Sequence, residues 1–268
     1  MKNQRFTAPL SIVAFFAVFG FLSGVALGAG PRVTPEIVRM GTLYGGALLR
    51  VEGVKAPEAE IIVTVRGGTV KETFNKLGRV GPIWGITGKV TITNTPSLLL
   101  VFSSVPVSAC LPREVIDQYG LDRIAVTKQM HIASDTADYD RIAEDYWRYK
   151  IRQGNYRLVN GTIETRPAGE DGIPYSLEFT LPKTAAAGKY AIGVLECQGG
   201  EIVRATELPL QVVEVGFPAL VTFLATQHAA AYGAIAVVVA MLAGFGIDLI
   251  AARILKKRIV GDYRELQD

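Results

Sequence analysis

The sequence predicts a mainly β exported body with a short helical insert, immunoglobulin-like in its second half and held to a membrane by its C-terminus. Three observations carry this. Residues 229–252, AAAYGAIAVVVAMLAGFGIDLIAA, are apolar almost throughout and run into Arg253, Lys256, Lys257 and Arg258. About 20 apolar residues at a rise of about 1.5 Å cross a hydrocarbon core of about 30 Å. Between residues 31 and 216, short runs of β-branched and aromatic residues alternate with Gly, Pro and Asn turns, the pattern of an antiparallel sandwich. At the other end, Lys2 and Arg5 precede an apolar run from Ala8 to Ala29, a basic n-region followed by an h-region.

Residues 1–30 are therefore a signal peptide or an N-terminal anchor helix. Ala26-Leu27-Gly28 supplies the small residues a signal peptidase needs, while the length of the run suits an uncleaved anchor. Both send the following chain across the membrane. The positive-inside rule keeps Lys2, Arg5 and the basic residues after 252 in the cytoplasm. The main domain is then periplasmic, the protein sits in a bacterial inner membrane, and the tail 256–268 is cytoplasmic.

The first β region is 31–110. Ala47 to Val51 and Glu60 to Val65 read as strands, the second with Ile61, Val63 and Val65 on one face. Gly67-Gly68 makes a turn before a strand from Val70 to Phe74. Gly78, Gly81, Gly85 and Gly88 read as turns and a bulge, with Trp84 a core or rim aromatic. Lys89 to Thr93 and Leu98 to Phe102 follow, separated by Asn94-Thr95-Pro96.

The helical insert is 111–153. Pro112 and Gly120 bracket a helix from Arg113 to Tyr119. Asp138 caps a longer one, Tyr139 to Arg152, whose stripe of Tyr139, Ile142, Ala143, Tyr146 and Tyr149 packs on the sheet or docks a partner. The second β region, 154–216, has strands at Tyr156–Thr165, Tyr175–Leu181, Lys189–Cys197, Glu201–Thr206 and Pro209–Glu214, with Gly199-Gly200 as a hairpin turn. Tyr190, after Leu181-Pro182 and Gly188-Lys189, matches the tyrosine corner of immunoglobulin-like folds; Ile192 stands where antibody domains have Cys. Residues 217–255 form the transmembrane helix with its lead-in.

Composition narrows the function classes. Of 268 residues 49% are apolar, and the net charge of +3 is too small to argue for nucleic acid. A mean hydropathy of +0.28 is high for a soluble globule, and the two ends account for the excess. Cys110 and Cys197 would pair in an oxidising compartment and remain buried thiols in a cytosol.

The order of landmarks resembles a family of transmembrane proteins of this length first recognised in alphaproteobacteria. The matching segments are Met40 to Gly46, Val63 to Gly67, Gly81 to Trp84, Pro96-Ser97, Ser103 to Pro106, Leu181-Pro182, Gly188 to Tyr190 and Val213 to Phe217, with the terminal span. Leu98-Leu99-Leu100-Val101 departs from it, since an aromatic pair is expected there. The family brings no established activity. The resemblance implies members that are often encoded near permeases resembling the TauE/SafE sulfite-exporter family, and with it an accessory role beside a transporter.

Chemistry is sparse. His131, with Met130 beside it and Asp135 four residues on, is either a soft periplasmic copper ligand pair or an ordinary loop histidine. His228 and Tyr232 suit the outer membrane interface. No Gly-x-Ser-x-Gly elbow follows Ser103-Ser104, and the glycine-rich run lacks the Lys-Ser/Thr of a phosphate loop. The charges of 138–152 read as a solvated helix face. Asp248 either snorkels to the headgroups or meets another membrane helix. Ala240, Gly244 and Asp248 share one face at i, i+4 and i+8, where small residues permit close approach. The expectation is a non-enzymatic, cofactor-free accessory or interaction module contacting the lipid bilayer and an integral membrane transporter, without nucleic acid. The alternative is an exported binder of a small ligand or metal.

Overall fold

The computed structural model of the chain describes residues 30–135, 138–169 and 172–265. The predicted signal or anchor, Ala8 to Ala29, lies outside them, as do the side chains of the basic flank from Arg253 onward. The elements in order are β1 (Arg32–Thr34), β2 (Ile37–Met40), β3 (Ala47–Lys55), β4 (Glu60–Gly67), β5 (Thr69–Val80), β6 (Ile83–Pro96) and β7 (Leu99–Ser103). Then come α1 (Val107–Cys110), α2 (Arg113–Tyr119), α3 (Arg123–Gln129), β8 (His131–Ser134) and α4 (Tyr139–Arg152). The rest is β9 (Tyr156–Asn160), β10 (Glu164–Thr165), β11 (Ile173–Leu181), β12 (Gly188–Gln198), β13 (Glu201–Glu214), α5 (Phe217–Gln227) and α6 (Ala229–Glu265).

The chain is mainly β, as the alternation predicts. One sheet has the order β1-β3-β11-β10 and the facing one β2-β13-β12-β4-β7-β9. With β1 and β2 as a split first strand, these are the ABED and GFCC′ sheets of an immunoglobulin sandwich. Strands from the two β regions interleave: β3 pairs with β11 and β4 with β12. The two regions therefore build one sandwich. The pattern is not purely antiparallel, because β2–β13 and β7–β9 are parallel pairs. Leu49, Val51, Ile61, Val63, Leu177, Phe179, Ile192 and Val194 fill the space between the sheets. The hydroxyl of Tyr190 donates to the Ala186 carbonyl at 2.7 Å, closing the predicted tyrosine corner.

A second core covers the outer face of β4 and β7. Ile62, Leu99 and Val101 point into it and meet Leu111, Ile116, Leu121 and Val126 from α1 to α3 and Ala143, Tyr146 and Trp147 from α4. Strands β4 and β7 are thus buried on both faces, which explains the unbroken run Leu98 to Phe102. A doubly covered strand reads as continuous apolar sequence.

Helices α2 and α4 match the predicted ranges, and Gly120 ends α2 in the left-handed region at φ 61°. Asp138, the expected cap, makes no side-chain capping bond. Helices α1 and α3 go beyond the prediction; α3 starts where the Asp122 carboxylate accepts the Ala125 N–H at 2.8 Å. Asn94-Thr95-Pro96, predicted as a turn, lies inside β6, with Asn94 at φ 61°. The segment predicted as one strand to Thr165 breaks at Gly161, φ 72°. The two predicted strands at the end are one, β13. Pro209 is tolerated in it because β2 pairs only from Gln211 onward, so the missing N–H faces an open edge.

Candidate functional site

A concavity lies between α4 and the β5–β6 hairpin. Strands β4 and β5 are separated by Gly68 alone. The Gly67 N–H bonds to the Leu98 carbonyl at 3.0 Å and the Ser97 N–H to Gly68 at 2.8 Å. β4–β5 and β6–β7 are therefore one continuous antiparallel ribbon. The ladder shifts between Val70 and Glu72 and between Lys76 and Leu77. Below the second shift α4 lies on the ribbon, Phe74 meeting Tyr146 and Tyr149 edge-on at 6.0 and 5.3 Å.

Between them is a cleft of about 410 Å³, within the size of a small-ligand site. Phe74, Val90 and Ile92 line one wall and Ile142, Tyr146 and Tyr149 the other. Asn75, Lys76, Asp138, Arg141 and Asp145 supply polar groups around them. An apolar, aromatic interior with charges of both signs suits a ligand or peptide side chain with an apolar body and a polar end.

The cleft stands on a buried polar cluster. Lys150, 2% exposed, donates to Glu72 Oε1 at 2.8 Å. The Tyr146 hydroxyl donates to Glu72 Oε2 at 2.7 Å and lies 2.9 Å from Thr95 Oγ1. The Lys150 ammonium sits 5.4 Å from the Tyr146 ring centre and 5.8 Å from that of Tyr156, within cation–π range. Tyr156 donates to the Pro96 carbonyl at 2.8 Å. Burial pushes the Tyr146 phenol far up, and that of Tyr156 up to about 12. Both stay neutral donors, so the cluster fixes the hairpin against α4 and holds the cleft open between them.

The structure brings some predicted residues together and separates others. Cys110, ending α1, is joined to Cys197 on β12 by a disulfide, with Cα atoms 6.5 Å apart. Met130 is 9% exposed in the second core, whereas His131 is exposed at the start of β8, in a strand and not in the loop expected of it. Among the described residues no group of three His, Cys, Asp or Glu could hold a metal ion. Ala240, Gly244 and Asp248 lie on α6, exposed, and none of the described residues covers their shared face. His228 stacks edge-on with Phe223 at 5.3 Å, where α5 meets α6. The predicted α4 stripe is rotated: Ala143 and Tyr146 are buried with Trp147 and Lys150, while Tyr139 is half exposed. Trp84 is not a core aromatic. It is 75% exposed near the tip of the hairpin, and the glycine run around it forms the two arms and one turn at Gly81-Pro82.

Prediction missed Glu72, Lys150 and Trp147. The available signal was the spacing of Ala143, Tyr146, Trp147 and Lys150 at i, i+3, i+4 and i+7, a truer helix stripe than the one through Tyr139.

The described chain is an immunoglobulin-type sandwich with a lateral helical layer, followed by a helix whose first 24 residues, Ala229–Ala252, are long and apolar enough to cross a membrane. The family described as "Putative transmembrane protein (Alph_Pro_TM)" matches residues 30–253, and the chain belongs to it. No curated protein and no solved structure matches the chain significantly.

Proposed function

We propose that this protein is a non-enzymatic interaction module of a bacterial inner membrane. It displays its sandwich in the periplasm and docks an integral membrane protein, a transporter being the partner class its family resemblance suggests. One observation carries the reading most. Among the described residues the span Ala229–Ala252 meets only α5, near its start, and is otherwise uncovered, yet it holds a carboxylate, Asp248, in line with Gly244 and Ala240. A membrane carboxylate costs about 2.5–3.5 kcal/mol at mid-bilayer and less toward the surface, so a polar contact on a second helix relieves it. The Cys110–Cys197 bond supports the periplasmic side, because disulfides persist in oxidising compartments.

A photo-crosslinker at position 244 of the full chain in intact membranes tests this. The expected product is a covalent adduct with an integral membrane protein, lost in Asp248→Leu. Adducts with lipid alone reject it.

The cleft favours a second reading, capture of a small ligand. Full-length protein in detergent would then gain thermal stability with a ligand from periplasmic extract. Tyr149→Ala would abolish the gain. A gain that survives that substitution rejects the cleft as the site.

A further inference from the structure

We propose that the tip of the β5–β6 hairpin docks on the lipid interface of the same bilayer that α6 crosses, through Leu77, Trp84 and Ile86 with Arg79 beside them. The inference rests on the anchoring of the chain by α6.

The tip is apolar and uncovered. Leu77, Ile83, Trp84 and Ile86 are 65, 66, 75 and 59% exposed. The register pairs Leu77 with Ile86 and Arg79 with Trp84. Directly opposed residues share a face, and so do residues two apart. Leu77, Ile86, Arg79 and Trp84 therefore form one patch, with Ile83 on the reverse side.

The register also fixes which end of the sandwich the hairpin leaves. Tyr190 on β12 is level with Gly67 on one side and Leu210 on the other. The ribbon continues beyond Gly67, and β13 continues beyond Leu210 to Glu214 and the membrane. Both exits are at the same end, two strands apart, about 10 Å. The thirteen residues after Gly67, up to Val80, reach at most about 43 Å. Even with α5 standing upright, the bilayer face comes about 35 Å beyond Gly67, counting about 1.5 Å per helical residue and about 3.3 Å per extended one. The ribbon is long enough. Helix α5 presents Phe217, Leu220 and Phe223 at that end, all more than half exposed, so the apolar tip continues an apolar lead-in.

The chemistry selects lipid and a shallow depth. Trp anchors at the headgroup level, and an adjacent Arg meets anionic headgroups. Strand β8 covers the ribbon only from Val90 to Thr93, so among the described residues the backbone edges nearer the tip are open. Open edges cannot enter hydrocarbon, where each unpaired backbone group costs several kcal/mol, so the patch stays at the interface.

The test uses full-length protein in vesicles of phosphatidylethanolamine and phosphatidylglycerol, doped with phosphatidylcholine brominated high or low on its chains. The chain has two tryptophans, and Trp147 is buried at 3% exposure, so the difference between wild type and Trp84→Phe isolates Trp84. We expect the shallow probe to remove most of the Trp84 emission, the deep probe to remove less, and aqueous iodide to remove little. Leu77→Ser with Ile86→Ser, which leaves Trp84 in place, should restore iodide access. Trp84 unquenched by either lipid overturns the proposal, whether iodide reaches it or a protein surface shields it. Stronger quenching by the deep probe overturns it too. Release of the chain by carbonate removes the anchoring and this inference together, whereas retention with an unquenched Trp84 removes this inference alone.

Discussion

Removing either member of the Glu72–Lys150 pair should be costly, and the two removals should be unequal. Lys150 is 2% exposed and Glu72 29% by side chain. Breaking a buried ion pair by deleting one partner costs about 3–5 kcal/mol because the other charge is stranded. In Lys150→Met the stranded group is the carboxylate, which keeps the Tyr146 hydroxyl at 2.7 Å and some access to water. The loss belongs at the low end, about 3 kcal/mol. In Glu72→Leu the stranded group is an ammonium with two tyrosine faces beside it and little solvent. That loss belongs at the high end, about 5 kcal/mol. The pair Glu72→Leu with Lys150→Met removes both charges and should recover part of the larger loss. The assay is denaturant unfolding of the full chain in detergent, followed by aromatic circular dichroism, which reports Tyr146, Trp147 and Tyr156. A factor of about 2–4 °C per kcal/mol puts the midpoint of Lys150→Met roughly 6–12 °C below wild type in a thermal scan. Equal costs for the single variants, or a double variant worse than Glu72→Leu, would refute the assignment of Lys150 as the more deeply committed charge.

Three further outcomes follow from the geometry. Reduction of Cys110–Cys197, which closes 87 residues, should lower stability by about 2–4 kcal/mol, with a chain-entropy ceiling of about 4.6 kcal/mol, read as a lower melting midpoint in reductant. Tyr190→Phe deletes the bond to Ala186 and should cost about 1 kcal/mol, whereas a neutral result in denaturant unfolding would mean the corner is closed by packing alone. Hydrogen bonds from Arg113 and then Lys128 hold the Asp117 carboxyl below its ordinary range, and at Asp122 Arg113 and the Ala125 N–H outweigh the upward push of burial. Groups depressed in the fold stabilise it above the ordinary carboxylate range and lose that contribution as pH falls through their own lower values. Asp117→Asn with Asp122→Asn should therefore flatten the acid limb of a melting-temperature profile, and an unchanged limb would assign it to other carboxylates.

What was legible in the sequence follows from how many faces of a strand are covered. Where one face is covered, as at Leu177, Phe179 and Leu181 or Tyr190, Ile192 and Val194, alternation marks both the strand and its core side. The 24-residue span and the helices bounded by Pro112, Gly120 and Asp138 were equally plain, because caps and length are local signals. The ribbon from β4 to β7 defeats that logic. Near the sandwich it is buried on both faces, so Leu98 to Phe102 shows no period; at the tip none of the described residues covers it, so Leu77 to Ile86 carries apolar residues beside glycines that read as turns. Both failures mark the ribbon as a place where something other than the sandwich core dictates sequence. At its base that something is α4, held by Glu72 and Lys150, pairing elements 78 residues apart that local pattern cannot connect. At its tip none of the described residues supplies cover, although Trp84 and Leu77 would gain about 25 cal/mol per Å² of apolar surface removed from water. An uncovered ribbon of this length would invite edge-to-edge pairing between chains. On the docking proposed above, a bilayer at the same end of the sandwich would cover the apolar face of the tip and hold its edges at the headgroups, away from a second chain, which would make the position of α6 and the composition of the tip two consequences of a single constraint.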